Sequence, residues 1–260
     1  MFGFYVFVTV VQVLTLSGVT NAQSERLNVT VYYETLCPFA KKFIVEQLHP
    51  LLHSDLSPYI ELELIPYGKA KTEKKNDTHF EFTCHHKAAE CYGNKIQACA
   101  LVLIDLGAKT ENLGFNRETV DFIACLMKDL TQNSTIDEIK IATEKCSPSK
   151  KDTILSCADD KLGSQYLDHL GKLTDHFQNP LRNVPTIVLD GVFRKKQSDL
   201  SEKDFRTVFC SKPKTKVLTE CQKVLETVED ASDSAIQPIP NLSLGLATLL
   251  SIGLRFLYRH

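Results

Sequence analysis

Residues 27–44 read LNVTVYYETLCPFAKKFI and join a strand pattern to a helix pattern. Leu27–Tyr33 alternates apolar and polar residues and is rich in β-branched side chains, which predicts a strand. Apolar residues then recur at helical spacing over Phe39–Ile44. Pro38 suits a first helical turn, because its missing N–H would have no intrahelical partner there. Cys37 is therefore predicted to lie at the N-terminus of a helix that follows a strand.

A second strand is predicted downstream of this helix. Ile60–Pro66 again alternates apolar and polar residues. A strand, a helix and a strand at this spacing form a βαβ unit, whose strands are parallel and whose crossover is right-handed. The charged run Lys69–Asp77 predicts a solvated loop. From Phe80 to about Phe177 the apolar spacing is helical, and no strand is predicted there.

The pattern returns to strand character at Val184–Phe193. The pair Asp190-Gly191 within it is a strong hairpin-turn signal, so the segment predicts a strand, a turn and a strand. Asp199–Phe209 predicts a closing helix. This order of elements is that of an α/β protein with a thioredoxin-like fold and a large helical insertion at about residues 80–177.

Cys37 has a position that can support chemistry. A cysteine at a helix N-terminus is favoured as the thiolate, which is the species that attacks disulfides. Position alone leaves a reactive thiol and a structural cysteine equally open, the structural cysteine being either buried and inert or one half of a disulfide. The segment Val184-Pro185-Thr186 favours a reactive thiol, because thioredoxin-like folds place a cis proline there beside the reactive sulfur. We therefore take Cys37 and Pro185 as candidate catalytic residues.

Composition narrows the partners and the compartment. The 260 residues carry 30 basic and 32 acidic side chains, a near balance that argues against nucleic acid or an anionic membrane surface as the main partner. Nine cysteines are many for a cytosolic protein and favour an oxidising compartment. Because nine is odd, at least one sulfur of a monomer is outside internal disulfides.

The two ends differ from the body at residues 23–234. Residues 1–22 begin with an uncharged apolar run and end in small residues, which predicts a secretory signal peptide. Residues 235–260 combine a proline-containing spacer with a short apolar tail. That tail is either a lipid-anchor signal, a membrane segment or an untethered end. Sequons at Asn28, Asn76 and Asn133, and a further one at Asn241, predict glycosylation on a secretory route.

A signature in the insertion resembles that of the gamma-interferon-inducible lysosomal thiol reductase (GILT) family, C-Q-H-G-x2-E-C-x2-N-x4-C. The run into Cys37-Pro38 and the later Val184-Pro185 also resemble this family, over about residues 27–221. Two positions depart from the signature, since His85 stands where the family has glutamine and Lys87 where it has glycine. The signature residues kept at the family's spacing are Cys84, His86, Glu90, Cys91, Asn94 and Cys99.

The largest departure lies at the predicted active site. Family reductases carry C-x-x-C at the helix start, whereas this chain reads Cys37-Pro38-Phe39-Ala40. In a dithiol mechanism the second cysteine attacks the mixed disulfide that the first one forms, and the reduced substrate leaves. With Ala40 there, three alternatives remain: monothiol chemistry with an external thiol such as glutathione or cysteine, a covalent trap, or no catalysis. No other cofactor is expected.

The remaining cysteines are expected to form structural disulfides. Cys91 and Cys99 lie about 12 Å apart along a helix with a rise of about 1.5 Å per residue, too far to pair with each other. Cys210 and Cys221 are the first local pair to consider. Metal binding by the cysteine and histidine cluster of the signature is a weaker alternative, because its spacing matches no common zinc pattern. The disulfide candidates are Cys84, Cys91, Cys99, Cys125, Cys146, Cys157, Cys210 and Cys221.

The resemblance implies a GILT-like thiol–disulfide oxidoreductase of the secretory or endolysosomal pathway that acts on protein disulfides. It is expected to be impaired or monothiol because of Ala40. The alternative is a non-catalytic binding protein, secreted or at the cell surface, built on the same scaffold. The expected partners are disulfide-containing proteins, with no nucleic acid, and a membrane is contacted only through the C-terminal tail.

Overall fold

A computed structural model describes residues 26–76, 79–104, 109–147 and 149–235. The predicted signal peptide and the tail beyond residue 235 lie outside these residues. The elements are β1 (Leu27–Tyr33), α1 (Pro38–Lys42), a π-helical segment (Phe43–Leu48), α2 (His49–Leu52), a 3-10 turn (Ser57–Tyr59), β2 (Ile60–Pro66), β3 (Lys71–Lys74), β4 (Phe80–Thr83), α3 (Lys87–Leu103), α4 (Arg117–Asp129), α5 (Ile136–Cys146), α6 (Lys151–Asp159), α7 (Lys161–Phe177), β5 (Thr186–Leu189), α8 (Lys195–Ser201), α9 (Phe205–Cys210) and α10 (Thr219–Ala235).

The central sheet has the strand order β2-β1-β5. The predicted βαβ unit is present, because β1 and β2 pair in parallel along their whole length. β5 pairs antiparallel with β1 on the other side. Since side chains alternate along a strand, the sheet presents two apolar faces. The face with Val29 and Val31 joins the main core, and the face with Tyr32 packs against α7, where its ring stacks on Phe177 with centroids 4.4 Å apart.

The insertion is a group of helices held to each other by covalent bonds. Cys99 in α3 is bonded to Cys157 in α6, and Cys125 in α4 is bonded to Cys146 in α5. α3 packs against both α6 and α7, so its position relative to the sheet is fixed from two sides. Among the helices that the structure describes, none is long and apolar enough to cross a membrane.

The predicted loop at Lys69–Asp77 and the prediction of no strand after Phe80 are both wrong. β3 and β4 form an antiparallel two-stranded sheet, and the helices of the insertion begin only at Lys87. The sequence of β3, KTEK, is polar and mostly exposed, so it carries no apolar alternation. Its strand conformation comes from backbone pairing with β4, which a local pattern does not reveal.

The hairpin predicted at Asp190-Gly191 is correct in its turn and wrong in its second strand. Both residues adopt positive φ, 50° and 70°, as a tight two-residue turn requires. The returning strand is wrong, because only one bridge, between Leu189 and Val192, follows the turn before α8 begins. The predicted closing helix is also divided into two, since α8 ends at Ser201 and Asp204 caps the start of α9 by accepting from the Thr207 N–H at 3.0 Å.

Candidate active site around Cys37

Cys37 and Pro185, which are far apart in the sequence, meet at the end of the sheet. Cys37 is the residue immediately before α1, as predicted. The β1–β5 register pairs Tyr32 with Thr186, so the segment before β5 returns beside the end of β1. There the Cys37 Sγ lies 3.7 Å from the carbonyl oxygen of Val184, and the Val184–Pro185 peptide bond is cis. The sulfur therefore faces the backbone of the segment that precedes β5, next to a cis proline.

The position three residues after Cys37 has no reactive group. Ala40 is fully buried, with 0% of its surface exposed, whereas Phe39 between them is 65% exposed. All nine cysteines lie in the described part of the chain, and Cys37 is the one that is not in a disulfide. The site therefore contains one thiol and an apolar neighbour in the place of a second.

Burial governs the protonation of the Cys37 thiol. Only 4% of the residue is exposed, and this desolvation raises the pKa of the thiol above its ordinary value. The backbone N–H groups of Ala40 and Phe39 act in the opposite direction, and the negative charges of Glu34 and Glu90 raise the pKa further. The expected local effect of the helix start is therefore present, but burial and the two carboxylates outweigh it.

Helix α3 holds the loop that leads to Cys37. The Asn94 Oδ1 accepts from the Thr35 N–H at 3.0 Å and from the Thr35 hydroxyl at 2.7 Å. Gln97, one turn later on the same face, donates to the Thr35 hydroxyl at 3.1 Å and accepts from the Tyr33 hydroxyl at 2.5 Å. The side chains of Tyr33, Thr35, Asn94 and Gln97 are all buried away from solvent. The signature asparagine, Asn94, therefore positions the β1–α1 loop. The hydrogen bonds of its Oδ1 go to this loop and not to the Val184 carbonyl that the Cys37 sulfur faces.

Gly93 lets α3 approach this loop closely. A Cβ on Gly93 would lie 2.7 Å from the Thr35 Cγ2, a distance that real side chains do not reach without a shift. Asn94 Nδ2 also donates to the Tyr67 carbonyl at 3.4 Å on the other side of the loop. The close packing and the hydrogen bonds together fix the turn from which Cys37 emerges.

Two carboxylates and two histidines gather at the N-terminus of α3. Glu34, just before the Cys37 loop, is fully buried, and its Oε1 accepts from the Lys69 N–H at 2.8 Å. Its Oε2 lies 3.3 Å from His85 Nδ1 and 3.8 Å from His86 Nδ1. Glu90 contacts the same His86 Nδ1 at 2.5 Å and accepts from the His86 N–H at 3.0 Å. Burial raises the pKa of the Glu90 carboxyl, and the nearby charge of Glu34 raises it further.

Gly68 makes room for the Glu34 side chain. It adopts φ +63°, and a Cβ there would overlap the Glu34 Cγ. A side chain at this position would meet both a disfavoured backbone conformation and a clash. Glu34 can therefore be buried beside Cys37 only because residue 68 is glycine.

Lys87 stands in the left-handed backbone region, with φ +65°. This is the position where the signature of the resembling family has glycine. Left-handed backbone costs an L-residue about 1–2 kcal/mol, whereas glycine adopts it freely. The lysine at this position therefore carries local backbone strain at the start of α3.

The eight remaining cysteine candidates form four disulfides. Cys84 pairs with Cys91, so this bond closes the turn that carries His85 and His86 at the start of α3. Cys210 pairs with Cys221, the local pair suggested by the sequence, and ties α10 to α9. Cys91 and Cys99 do not pair with each other, in agreement with their spacing. The sequon residues Asn28, Asn76 and Asn133 are exposed.

An open groove of about 430 Å³ lies beside the first turn of α1. Its walls include Leu36 and Pro38 on the Cys37 side and Leu130 from the end of α4. The Lys41 ammonium donates to the carbonyls of Lys128 and Leu130 at 2.7 and 2.8 Å, which holds the end of α4 against α1. This groove therefore places apolar surface beside Leu36 and Pro38, the two residues that flank Cys37.

Sequence reasoning missed Glu34, Gly68 and Gln97 at this site. One signal could have indicated Gln97, because Glu90, Asn94 and Gln97 recur at the i, i+4, i+7 spacing of one helix face. Three polar residues on a buried face need partners within the protein. Nothing local marks Glu34 or Gly68, whose roles depend on their contact with each other.

The site and the fold together define the class of protein. A cysteine at the start of the first helix, facing a cis proline before the antiparallel strand of the sheet, is the arrangement of a thioredoxin-like thiol–disulfide oxidoreductase fold. The helical insertion then supplies the residues that hold the cysteine loop.

Comparison with known proteins gives the family. Residues 28–150 match the family described as gamma interferon inducible lysosomal thiol reductase (GILT). The chain is 35% identical over 202 residues to a gamma-interferon-inducible lysosomal thiol reductase-like protein of Anopheles gambiae, covering 76% of this chain and 81% of that protein. It is 33% identical to GILT-like protein 1 of Drosophila melanogaster, over 74% of this chain and 76% of that protein. The chain belongs to the GILT family.

A solved structure similar to this chain is BdbD from Bacillus subtilis in its oxidised form. The TM-score is 0.49 at 12% identity, over 72% of this chain and 87% of BdbD.

Proposed function

We propose that this GILT-family protein acts on protein disulfides through Cys37 alone, as a monothiol. The observation that carries the proposal is the free Cys37 sulfur beside Pro185, with buried Ala40 where the family's second cysteine stands. The eight other cysteines are already in disulfides, so no second thiol is ready to complete a dithiol cycle.

The chemistry divides between the protein and an external thiol. The Cys37 thiolate attacks one sulfur of a substrate disulfide, forms a mixed disulfide and releases the other substrate sulfur as a thiolate, which takes up a proton. An external thiol such as glutathione or cysteine then attacks the substrate sulfur of the mixed disulfide, which releases Cys37 as a thiolate and leaves the substrate joined to the external thiol. A second external thiol frees the substrate thiol. In total two external thiols are oxidised to one disulfide and one substrate disulfide is reduced.

The site supports the positioning of such a substrate. The Val184 carbonyl and the cis proline present backbone at the sulfur, and the groove beside Pro38 presents apolar surface. The proposed partners are therefore proteins that expose a disulfide in an extended segment. The proposed location is the secretory or endolysosomal pathway, supported by four disulfides and by relatives that are named lysosomal, including one from Mus musculus.

Reduction of insulin tests the proposal directly. The wild-type protein is assayed at acidic and neutral pH with glutathione or cysteine as the donor. We expect thiol-dependent turnover above the rate of the donor alone, and we expect Cys37→Ser to lose that increment entirely. Equal rates for the wild type and Cys37→Ser would refute the assignment of Cys37.

A second candidate function is non-catalytic binding on the same scaffold. The observation that favours it is the state of Cys37 itself, which is buried and whose pKa is raised by that burial and by two carboxylates. Under this function the protein would show no turnover with any donor and no covalent adduct with a disulfide substrate. The presence of an adduct at Cys37 therefore separates the two.

A further inference from the structure

Two buried carboxylates and two histidines lie together at the start of α3. Glu34 and Glu90 are both fully buried. Within the described part of the chain, their ion pairs go to His85 and His86. Buried carboxylates are normally paired or coordinate a metal.

We propose that Glu34, His85 and His86 form a binding site for a divalent transition-metal ion, Zn²⁺ in the first instance. One ligand atom from each residue, Glu34 Oε2, His85 Nδ1 and His86 Nδ1, lies within 4.8 Å of the other two. Carboxylate and imidazole are the oxygen and nitrogen ligands that zinc takes in proteins. Such an ion would offset the charge of the two buried carboxylates.

The spacing of the ligand atoms fits one ion. Metal–ligand distances of about 2.0–2.1 Å in a tetrahedral site place ligand atoms about 3.3–3.5 Å apart. Glu34 Oε2 is 3.3 Å from His85 Nδ1 and 3.8 Å from His86 Nδ1, and the two imidazole nitrogens lie within 4.8 Å of each other, so the two histidine side chains need to move inward to hold one ion. Glu90 Oε2 is nearer to His86 Nδ1, at 2.5 Å, a hydrogen-bond distance. An ion bound to Nδ1 would displace the proton of that hydrogen bond to solvent, and the two atoms would separate.

The surrounding contacts orient the ligands. The Lys69 N–H holds the Glu34 Oε1 at 2.8 Å and so turns the Oε2 toward the histidines. The Cys84–Cys91 disulfide closes the turn on which both histidines sit. Hydrogen bonds to the second oxygen of a ligating carboxylate are typical of metal sites in proteins. His85 is half exposed, 53% for its side chain, so an ion can reach the group from solvent.

His85 is the residue that distinguishes this chain at the site. The family signature has glutamine there, which offers a neutral amide in place of an imidazole nitrogen. His86 and Glu90 alone are already satisfied by their mutual hydrogen bonds. The third ligand, and with it the capacity to hold an ion, comes from the substitution of glutamine by histidine.

A second group of histidines and a carboxylate lies elsewhere and serves as the control. His49 Nε2 and His53 Nε2 lie 2.9 and 2.6 Å from the Asp121 Oδ1. These are hydrogen-bond distances, shorter than the separation of two ligands on one ion. The Arg117 guanidinium also lies 2.9 Å from His53 Nδ1, and its positive charge opposes a cation there.

Titration of the purified full chain with Co²⁺ and Zn²⁺ tests the proposal. The affinity tag is removed, metal is stripped with a chelator, and Co²⁺ binding is followed by visible absorption and Zn²⁺ binding by calorimetry at neutral pH. We expect one equivalent to bind to the wild type. We expect His85→Gln, which restores the family residue at a half-exposed position, to weaken binding at least tenfold, since even outer contacts of a metal site are worth about 10–100-fold.

Two control variants separate this site from other ligands. Asp121→Asn removes the carboxylate of the second group, and Cys37→Ser removes the free thiol; both are expected to bind like the wild type. Zn²⁺ is also expected to raise the melting temperature of the wild type and of Asp121→Asn but not of His85→Gln, because an ion that binds only the folded state stabilises it. Equal affinities of His85→Gln and the wild type, loss of binding in either control, or no saturable binding would overturn the proposal. The titration measures metal binding directly, so its outcome does not depend on the redox activity proposed for Cys37.

Discussion

The N-termini of helices α1 and α3 meet at the site, and they differ from the family pattern in opposite ways. The start of α1 lacks one reactive side chain, and the start of α3 has an additional one. The start of α1 keeps Cys37 but has Ala40 in the place of the second cysteine. The start of α3 keeps its disulfide and the residues that hold the Cys37 loop, and it has an added imidazole at His85. The site thus contains one free sulfur, together with the contacts that hold its loop.

This contrast indicates what kind of loss has occurred. A site that no longer bound disulfides at all would have no need of buried polar residues such as Asn94, whose burial is favourable only with partners. Here Asn94 and Gln97 still satisfy Thr35 within the loop. These contacts are what the proposed monothiol function requires, since the support of Cys37 is present and only the resolving group is absent.

Restoring the second thiol is the strongest test of this difference between the helix starts. Ala40→Cys is expected to raise the rate of insulin reduction by on the order of 100-fold, about 2.7 kcal/mol of activation free energy, because the resolving step becomes intramolecular. Ala40→Ser is the matched control, since it adds an atom of similar position without a thiol. An unchanged rate in Ala40→Cys would mean that the support at α3 no longer serves catalysis.

Replacement of Asn94, the signature asparagine, is expected to weaken the contacts by which α3 holds the Cys37 loop. Asn94→Leu is expected to lower the free energy of unfolding by roughly 2–5 kcal/mol, because two buried donors of Thr35 lose their acceptor. Urea unfolding measures the change. Ala88→Leu places the same side chain on an exposed position of the same helix and is expected to stay within about 0.5 kcal/mol of the wild type. Equal stabilities of the two variants would show that Asn94 does not hold the loop.

The pH dependence of Cys37 alkylation tests the influence of burial on the reactive side. Only the thiolate reacts, so the rate with iodoacetamide is expected to rise about tenfold per pH unit through neutral pH without levelling. Burial, together with Glu34 and Glu90, holds the pKa of the thiol above its ordinary value. Glutathione alkylated in parallel provides the reference. A plateau below the pH at which glutathione levels off would contradict a raised pKa.

The smallest expected effect concerns the backbone at the start of α3. Lys87→Gly is expected to stabilise the protein by roughly 0.5–1 kcal/mol, because glycine adopts the positive φ of this residue without strain. Lys87→Ala keeps a Cβ and is expected to give no such gain. Urea midpoints of the two variants provide the measurement, and a glycine variant no more stable than the alanine variant would show that the strain is absent.

The sequence predicted those parts of the molecule that depend on local pattern. β1 and β2 match their predicted bounds because strict alternation marks a half-buried strand. β3 was missed because a polar four-residue strand is specified by its partner, β4. The meeting of Cys37 with Pro185 could be predicted only through the thioredoxin-like order of the elements, since 147 residues separate Cys37 from the carbonyl that its sulfur faces.

The electrostatics of the site could not be predicted in the same way. The effect of a helix start on a thiol is local and visible in the sequence, whereas burial by packed neighbours and the approach of Glu34 and Glu90 are tertiary. Glu34 itself has no marker in the sequence, because its burial depends on the space left by Gly68.

Mass spectrometry of the wild-type protein after exposure to a disulfide substrate tests the central claim most directly. The protein is incubated with oxidised insulin without any donor thiol, free thiols are blocked, and peptides containing residue 37 are quantified. We expect a mixed disulfide at Cys37 that persists until glutathione is added and that does not accumulate in Ala40→Cys. A Cys37 peptide that carries only the blocking group, or an adduct that resolves without added thiol, would contradict the monothiol account.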